Sequence, residues 1–406
     1  MAKPAVLGYV PYGAYWSTPF VKWQGEFAHL HALEFAAHVA KEALAARGIA
    51  PDVFDYGVLG MTVPQKSSFY GLPWVMGMIG APQAGGPTIM QACATGARCV
   101  QTAAQEVGAG MADVALVVTA DRVSNGPHLY YPAPTGPGGT GRAEDWVMDN
   151  FGGDPYAKVA MVQTAENVAR RYQITTQQQH DVVLQRHAQY QDALKDDHAF
   201  QKRYMALPFA VPDAGFRKTV GAVDGDRGIF PSTADGLAKL RPVQADGTVT
   251  FGGQTHPADG NAGMVVTTRE KAASLSRQKH IEISLLGFGL ARTEKAYMPM
   301  APVPAAKRAL GAAGLTIDDV DVVKSHNPFA VNDVVFARET GFPLGRMNNY
   351  GCSLIYGHPQ GPTGLRLMIE MIEELAMRGG GTGLFHGCAA GDTAMAAIIR
   401  VDDSSR

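Results

Sequence analysis

An internal repeat constrains the fold of this 406-residue chain more than any other feature of its sequence. Residues 40–55 (AKEALAARGIAPDVFD) align without a gap with residues 306–321 (AKRALGAAGLTIDDVD), and eight positions are identical. Each copy predicts an amphipathic helix that ends at a glycine, Gly48 or Gly314, because glycine tolerates positive φ at a helix C-terminus. An apolar run that predicts a buried strand follows each helix. We interpret the likeness as a duplication; the alternative is coincidence between two alanine-rich helices.

The likeness continues beyond the two helices. In the first half a Cys-bearing loop, QACATG, leads into a predicted helix and then into the apolar strand VALVVTA. In the second half the apolar run SLIY predicts a strand, and the His-bearing loop GHPQGPTG after it leads into a helix and the strands GLFHGC and TAMAAIIRV. Such alternation is typical of layered α/β proteins whose sites lie at the ends of strands.

The sequence between the two halves differs in character. The stretch YYPAPTGPGGTGRAED is rich in proline and glycine and predicts a surface loop. A polar helical segment follows, in which Thr175 is a suitable N-cap for the second helix. We therefore predict an N-terminal half at 1–120, an inserted loop domain at 121–250 and a C-terminal half at 271–406, with part of 251–270 returning to the first half.

Charge and composition argue against several classes of function. The 35 Lys and Arg residues are balanced by 37 Asp and Glu residues, so an extended basic surface for nucleic acid is not expected. The N-terminus lacks the pattern of a signal peptide, and no run of about 18 apolar residues predicts a membrane span, so we expect a cytoplasmic protein. The four cysteines form no CxxC pair and no zinc-ligand spacing, which predicts free thiols and no metal site.

Cys93 is the candidate nucleophile. A small-residue stretch precedes it and a helix-forming run follows at once, so its sulfur is expected at a helix N-terminus. Backbone N–H groups and the helix dipole would there favour the thiolate, the reactive form in acyl transfer, and would offer donors to an oxyanion. A buried structural cysteine is the alternative from these residues alone, and it is our interpretation of Cys99 in the same helix.

Three further residues at predicted element ends complete a candidate site. His358, between Gly and Pro, could accept the thiol proton and return it. Cys388, in LFHGCAAG, could act as a general acid or base, and His326, in KSHNPF, could donate a hydrogen bond to a carbonyl that becomes an oxyanion. A structural or merely exposed histidine is the alternative for His358, and a buried, inert thiol is the alternative for Cys388. No residue of the set is decisive alone, but together they supply a base, an acid and a donor for the nucleophile.

These motifs, in this order, resemble those of the thiolase family, and the resemblance covers nearly the whole chain. QACATG is similar to the family's nucleophile segment, NNYGCSLIYGHPQGPTG to its Gly-His-Pro loop, and GCAAG to the segment of its second catalytic cysteine. MVQTAENVARRYQIT resembles the loop-domain helix, and GLAKLRPVQADGTVTFGGQTHPADGNAG resembles the segment that leads back into the second core half.

The resemblance implies an α/β thiolase fold with two βαβαβαββ halves, α-β-α-β-α layering and an inserted loop domain. It also implies a CoA-dependent acyltransferase that works by ping-pong transfer, as a homodimer or a dimer of dimers. Cys93 would take the acyl group after His358 removes its proton, and Cys388 would protonate the enolate left by carbon–carbon cleavage. The backbone N–H groups of Cys93 and Ala390 would bind one oxyanion, and His326 with His358 would bind the other.

Three departures from the family pattern matter. The segment HNPF, from His326, stands in place of Asn-Glu-Ala-Phe and resembles the sterol-carrier-type and archaeal branches. That branch includes enzymes with a small companion protein of OB-fold and zinc-ribbon type, which here would be a separate chain. The segment CAA, from Cys388, stands in place of Cys-x-Gly, and Thr255 stands in place of the serine that contacts CoA.

Five aromatic residues of the inserted region either line an acyl pocket for a ring-bearing substrate or pack the loop: Tyr130, Tyr131, Trp146, Phe151 and Tyr156. On the first interpretation the substrate is similar to benzoylsuccinyl-CoA. Two other functions are compatible with the residues. One is a condensing enzyme of ketoacyl-synthase type, which lacks a second catalytic cysteine, and the other is a non-catalytic lipid- or CoA-binding protein on a thiolase-like scaffold.

Overall fold

The computed structural model describes residues 6–124 and 126–405. The strands are β1 (Gly8–Tyr9), β2 (Tyr15–Ser17), β3 (Val21–Lys22), β4 (Tyr56–Gly60), β5 (Thr88–Ile89), β6 (Val114–Arg122), β7 (His128–Tyr131), β8 (Arg142–Asp145), β9 (Phe209–Pro212), β10 (Thr219–Val223), β11 (Ala258–Thr267), β12 (Ile281–Arg292), β13 (Val322–His326), β14 (Gly380–Ala389) and β15 (Thr393–Asp403). The α-helices are α1 (Ala32–Ala46), α2 (Gly71–Ile79), α3 (Thr95–Gly108), α4 (Met148–Gly152), α5 (Met161–Tyr172), α6 (Thr176–His198), α7 (Ala234–Ala238), α8 (Arg269–Leu275), α9 (Pro302–Ala313), α10 (Ala330–Thr340), α11 (Ser353–Tyr356) and α12 (Gly361–Arg378).

Two blocks of strands repeat the same arrangement. In the first block β4 runs parallel to β5 and β6, and β11 is antiparallel to β6. In the second block β13 runs parallel to β14, and β15 is antiparallel to β14 and to β12. Residues 56–60 pair with 115–119, and residues 322–326 pair with 383–387. The short strand β1 pairs with both β11 and β12 and so connects the blocks.

Helices cover both blocks and lie between them. α1 and α2 pack on one face of the first block, α9 packs on the second block, and α3 and α12 contact strands of both. The burial pattern of strand β6 explains why helices pack on both faces of the first block. Its alternate residues Leu116 and Val118 join the core under α1, whereas Ala115 and Val117 join the core around α3 and α12. The predicted α/β fold with duplicated, layered halves is confirmed.

The predicted helix ends are also observed. Gly314 is the C-cap of α9 with φ +66°, and Gly48 follows the last turn of α1 with φ +65°, so both occupy the left-handed region that glycine favours. Thr175 caps α6, as predicted, because its side chain accepts a hydrogen bond from the backbone N–H of Gln178 while the Gln178 side chain accepts one from the Thr175 N–H.

The chain between β6 and β11 forms the hairpin β7–β8, helices α4–α7 and the hairpin β9–β10. Within this segment α6 contacts α10 and α11 of the second half. The proposed boundaries at residues 120, 250 and 270 stay a prediction. Among residues 6–124 and 126–405, no helix combines the length and apolar character needed to cross a membrane.

One element differs from the prediction. The run SLIY before His358 forms the short helix α11 rather than a strand. All four of its residues are buried, and a short apolar run buried on every side carries no periodicity that separates a strand from a helical turn. The turn ends at Gly357 with φ +92°, next to the histidine.

Candidate active site

Two helix starts meet at the centre of the molecule. Cys93 directly precedes Ala94, the N-cap of α3, and His358 lies three residues before the start of α12. The helices approach closely at Gly96, where an added Cβ would lie 2.7 Å from the carbonyl oxygen of Gly361 and from the backbone nitrogen of Leu365. A side chain at residue 96 would separate the helices, so this glycine brings the Cys-bearing loop of one half to the His-bearing loop of the other.

Three donor atoms converge at this meeting point. The Cys93 sulfur and one ring nitrogen each of His326 and His358 all lie within 4.8 Å of one another. His326 is the last residue of β13, and its ring stacks on that of His358 with centroids 4.0 Å apart and planes 24° apart. All three side chains are buried. The structure therefore places the predicted nucleophile, base and donor in one site.

Hydroxyl groups orient both imidazoles. His326 Nδ1 lies 2.8 Å from Ser353 Oγ, and His358 Nδ1 lies 2.7 Å from Thr363 Oγ1. The Nε2 atoms of both rings are buried, and neither makes a hydrogen bond of good geometry within the described residues. A buried polar atom without a partner costs free energy, so these two nitrogens are available to a substrate or a proton.

Cys388 lies on the neighbouring strand β14, close enough to Cys93 for electrostatic coupling. Burial raises the pKa of the Cys388 thiol, and the nearby Cys93 raises it further. The side chain of Asn332, on α10, donates a hydrogen bond to the Cys388 sulfur at 3.2 Å. A donor that holds the sulfur favours its thiolate form and fixes its direction.

Burial favours the neutral thiol of Cys93 in the free protein. Burial raises the pKa of Cys93 to about 12, although the backbone N–H groups of Ala390 and of Cys93 itself lower it in part. Burial also lowers the pKa of His358 to about 3, so the imidazole is neutral. Burial therefore opposes the resting thiolate that the helix start predicts. The cost of burying a charge next to two neutral imidazoles exceeds the gain from the N–H groups and the helix dipole.

The structure places two predicted CoA- or oxyanion-binding residues, Thr255 and Ala390, near the sulfur: Thr255 lines the same cavity as Cys93. The N–H of Ala390, just after β14, points at Cys93 Sγ. Thr255 N donates to the carbonyl of Pro328 at 2.8 Å, and Thr255 Oγ1 donates to the carbonyl of Ser353 at 2.5 Å. The contact of Thr255 with CoA stays a prediction.

A buried polar network supports His326 from behind. Asp333 forms an ion pair with Arg186 at 2.8 Å and accepts a hydrogen bond from Asn327 Nδ2 at 2.8 Å. The backbone N–H of Asn327 in turn donates to Ser353 Oγ at 3.3 Å, and this hydroxyl contacts His326. Arg186 belongs to α6, so the inserted segment anchors this network to the second half.

Sequence reasoning missed several of these residues: Asn332, Ser353, Gln360 and Thr363. Gln360 and Thr363 carried a signal, because both are polar residues inside the quoted GHPQGPTG motif. Ser353 is also a polar residue inside a quoted motif, NNYGCSLIYGHPQGPTG, whereas Asn332 carried no signal, since it reaches Cys388 across 56 residues.

Two cavities meet beside Cys93. The first, of about 440 Å³, is lined by Cys93, His358, Thr255, Phe329 and Met148 among others. The second, of about 690 Å³, is lined by Trp146, Phe151, Tyr156, Met90, Leu290 and Ala390 among others. The two cavities share four lining residues: Phe151, Met161, Met298 and Gln360. The site thus has one space that reaches the sulfur and a second, larger space behind it.

The five aromatic residues of the inserted region divide into two sets. Trp146, Phe151 and Tyr156 line the second cavity. Tyr130 and Tyr131 instead lie exposed on β7, where their hydroxyls pair with Gly141 N and Glu144 within the hairpin. The acyl-pocket interpretation therefore applies to Trp146, Phe151 and Tyr156, and the loop-packing interpretation applies to Tyr130 and Tyr131.

Cys93, His326 and His358 form the one group among the described residues that could hold a metal ion by the nature and spacing of its donors. The absence of a metal stays a prediction.

Comparison with known proteins agrees with this architecture. The models of the thiolase N-terminal and C-terminal domains match residues 14–270 and 280–401. An acetyl-CoA acetyltransferase of Chromobacterium violaceum is 31% identical over 379 residues, which cover 92% of this chain and 95% of that protein. The human mitochondrial 3-ketoacyl-CoA thiolase is 28% identical over 393 residues, which cover 94% of this chain and 96% of that protein.

The fold also matches that of solved structures. Crystal structures of human mitochondrial 3-ketoacyl-CoA thiolase, one of them in complex with CoA, match with a TM-score of 0.88 and 26% sequence identity. They cover 98% of this chain and 100% of theirs. The chain belongs to the thiolase family. It is an acyltransferase of the CoA-dependent thiolase type.

Proposed function

We propose that this thiolase cleaves a 3-oxoacyl-CoA with CoA through an acyl-enzyme on Cys93. The observation that carries the proposal is the convergence of the Cys93 sulfur with ring nitrogens of His326 and His358 within 4.8 Å, with Cys388 on the next strand. Such a set provides a nucleophile, a base, a donor and an acid around one bound thioester.

In the first step His358 Nε2 takes the proton of the Cys93 thiol as the sulfur attacks the C3 carbonyl carbon. Both groups are neutral at rest, since burial raises the pKa of Cys93 to about 12 and lowers that of His358 to about 3. The proton therefore moves only when a substrate is in place and its oxygen accepts the developing negative charge. The N–H groups of Cys93 and Ala390 are the donors for one oxyanion, and the imidazoles of His326 and His358 serve the other.

In the second step the C2–C3 bond breaks and its electron pair forms the enolate of the shorter CoA ester. Cys388 gives its thiol proton to C2 and becomes a thiolate, which the Asn332 amide stabilises at 3.2 Å. Free CoA then attacks the acyl group on Cys93. The proton of the CoA thiol replaces the proton lost by Cys388, and the Cys93 sulfur leaves and recovers its proton from His358.

The second cavity supports a bulky, ring-bearing acyl group as the substrate. It combines about 690 Å³ with three aromatic side chains and several methionines, and such surfaces bury a ring well. Benzoylsuccinyl-CoA is the substrate that we propose. A panel of alkyl and aryl 3-oxoacyl-CoA esters tests this: a kcat/KM that is highest for short alkyl chains contradicts it.

The proposed assembly is a homodimer or a dimer of dimers, together with a separate small OB-fold and zinc-ribbon partner. Support for self-association comes from β5, a two-residue strand at the end of the sheet, next to which Met90 is 61% exposed. Phe69, just before α2, is 94% exposed. Light scattering after size exclusion tests the homo-oligomer, and zinc analysis of co-purifying protein tests the partner.

The decisive experiment follows acyl transfer to the sulfur. Intact-mass measurement after incubation with acetyl-CoA or a 3-oxoacyl-CoA is expected to show one acyl group, mapped to the peptide that contains Cys93. The Cys93→Ala variant should show no adduct and lose activity by on the order of 10⁴-fold or more. Cys99→Ala is the matched control, because Cys99 is a buried thiol in α3, the helix that follows Cys93, and its sulfur faces Gly60. Turnover that survives in Cys93→Ala contradicts the mechanism.

A further inference from the structure

Gln360 occupies a place at the site that the steps above do not use. It directly precedes α12, and only 7% of its surface is exposed. Its backbone has φ +66° and ψ −104°, a conformation that residues with side chains adopt only at a cost of about 1–3 kcal/mol. Glycine carries no such cost. A glutamine held in this conformation points to a use for its side chain.

The carboxamide of Gln360 contacts the reacting sulfur. Its Oε1 accepts a hydrogen bond from the Cys93 thiol at 3.4 Å. The same side chain lies beside His358, where it offsets part of the effect of burial that lowers the pKa of that imidazole. Its Nε2 donates to no atom of residues 6–124 and 126–405. An amide carries two N–H donors, so two donors beside the sulfur are left for a ligand.

Gln360 also stands between the two cavities. Of the four residues that line both, Phe151, Met161 and Met298 are apolar and Gln360 alone is polar. Cys93 lines the first cavity and not the second. An acyl group that is attached to the sulfur and extends into the second cavity therefore crosses the junction that these four residues line, and Gln360 is the polar one among them.

We propose that Gln360 is a specificity-determining residue, whose Nε2 donates to an oxygen acceptor within about four bonds of the carbon that Cys93 attacks. This inference rests on the proposed function and narrows its substrate class. The substrate is a 3-oxoacyl-CoA that combines an apolar body, held in the second cavity, with a carboxylate or hydroxyl near the reacting carbon. A plain hydrocarbon chain leaves the amide donors desolvated and unpaired, which is the basis of strong discrimination by polar sites.

The experiment compares two matched substrates in thiolysis: 3-oxo-3-phenylpropanoyl-CoA and its 2-carboxymethyl derivative, which differ only in one carboxylate arm. The wild type is expected to prefer the carboxylate-bearing ester. Gln360→Leu, which removes the donors and leaves a shorter apolar side chain, should lower kcat/KM for the carboxylate-bearing ester about 10–100-fold more than for the other ester, the range of a hydrogen bond to a charged group.

Two further variants keep the result interpretable. Gln360→Gly removes the side chain and relieves the backbone conformation, so it should fold at least as well as the wild type and show the same loss of selectivity. Gln177→Leu is the matched control on the exposed face of α6 and should leave the ratio of the two kcat/KM values unchanged.

Three outcomes overturn the inference. They are an equal loss for both esters in Gln360→Leu, no loss for either, and a wild type that processes acetoacetyl-CoA but neither ester. The first two outcomes leave the proposed function intact, because acyl-adduct formation on Cys93 reports that function separately. A wild type that forms no adduct with any 3-oxoacyl-CoA contradicts the proposed function itself.

Discussion

Helices α3 and α12 hold equivalent places in the two halves, yet their surroundings differ. Each connects two parallel strands of its own block and follows a loop with a reactive side chain. Every residue from 361 to 376 in α12 is buried, including Arg366, Glu370 and Glu373. In α3, by contrast, Gln101 is half-buried and Gln105 is exposed. Duplication alone does not produce this difference.

The inserted segment is the cause. Its residue Asp226 accepts two hydrogen bonds from the Arg366 guanidinium, at 2.6 and 2.8 Å. Tyr204 OH donates to Glu370 at 2.9 Å, and Arg203 Nε donates to Glu373 at 2.6 Å. Although the insertion follows the first half in sequence, it encases the central helix of the second. The base and the acid of the candidate site thus belong to the more enclosed half, and the nucleophile belongs to the more open one.

The largest expected effect is on the rate of thiolysis. It tests whether the second half supplies the acid for carbon–carbon cleavage while the nucleophile of the first half still works. Cys388→Ala should lower thiolysis by on the order of 10³-fold, the effect of a lost general acid, while Cys93 is still acylated by acetyl-CoA. Intact mass follows acylation, and a coupled assay follows thiolysis. Cys99→Ala serves as the control for loss of a buried thiol. If thiolysis is unchanged in Cys388→Ala, the second half supplies no proton to the carbon–carbon step.

The next effect concerns the ionic contacts of α12. Asp226→Asn should destabilise the protein by about 3–5 kcal/mol, because it leaves the fully buried Arg366 without its bidentate partner. Urea unfolding monitored by circular dichroism measures the change. Glu282→Gln is the matched control, since its ion pair with Arg269 lies on the surface and should contribute little. Equal unfolding midpoints for the two variants contradict the structural role of the insertion.

The smallest effect is a pH dependence that originates in the second half. His386 on β14 is fully buried against Phe336, neither ring nitrogen has a partner within the described residues, and burial lowers its pKa to about 3. The unfolded chain binds a proton here below a pH of about 6.5, whereas the folded protein does not until about pH 3. Stability that is present above pH 6.5 is therefore lost as the pH falls toward 3.

The substitution His386→Phe isolates this contribution. Between pH 7 and pH 5 the wild type should lose about 2 kcal/mol more of its unfolding free energy than the variant does. Phenylalanine preserves the stacking on Phe336 and removes two buried polar atoms. Chemical unfolding of both proteins at the two pH values measures the difference. Parallel pH dependences would show that the ring titrates alike in the folded and unfolded chains.

Local pattern was enough to predict much of the fold. The repeat predicted matched halves, glycines at residues 48 and 314 predicted two helix ends, and Thr175 predicted the start of α6. These features depend on interactions within a few residues, which composition and spacing encode directly. The run SLIY was predicted wrongly, because burial on all sides removes the periodicity that distinguishes a strand from a helix.

The sequence predicted which reactive side chains form the candidate site. It did not predict the buried environment and the long-range contacts around them. Cys93, His326, His358 and Cys388 were selected by type and position at element ends, and the structure brings them together; their catalytic roles stay predictions. The protonation state of Cys93 was not predictable, since it depends on burial by elements far apart in sequence. The contact of Asn332 with Cys388 likewise spans 56 residues.

The amino-acid sequence by itself determined the duplicated α/β plan, the main helix ends and the identity of the reactive side chains, because each depends on local propensity and periodic burial. Only the tertiary structure decided that Gly96 lets α3 and α12 touch, that the insertion encases α12, and that the Gln360 amide faces the sulfur at the junction of two cavities. These are consequences of packing between segments separated by up to hundreds of residues, where distance, desolvation and shape act together and no local pattern records the outcome.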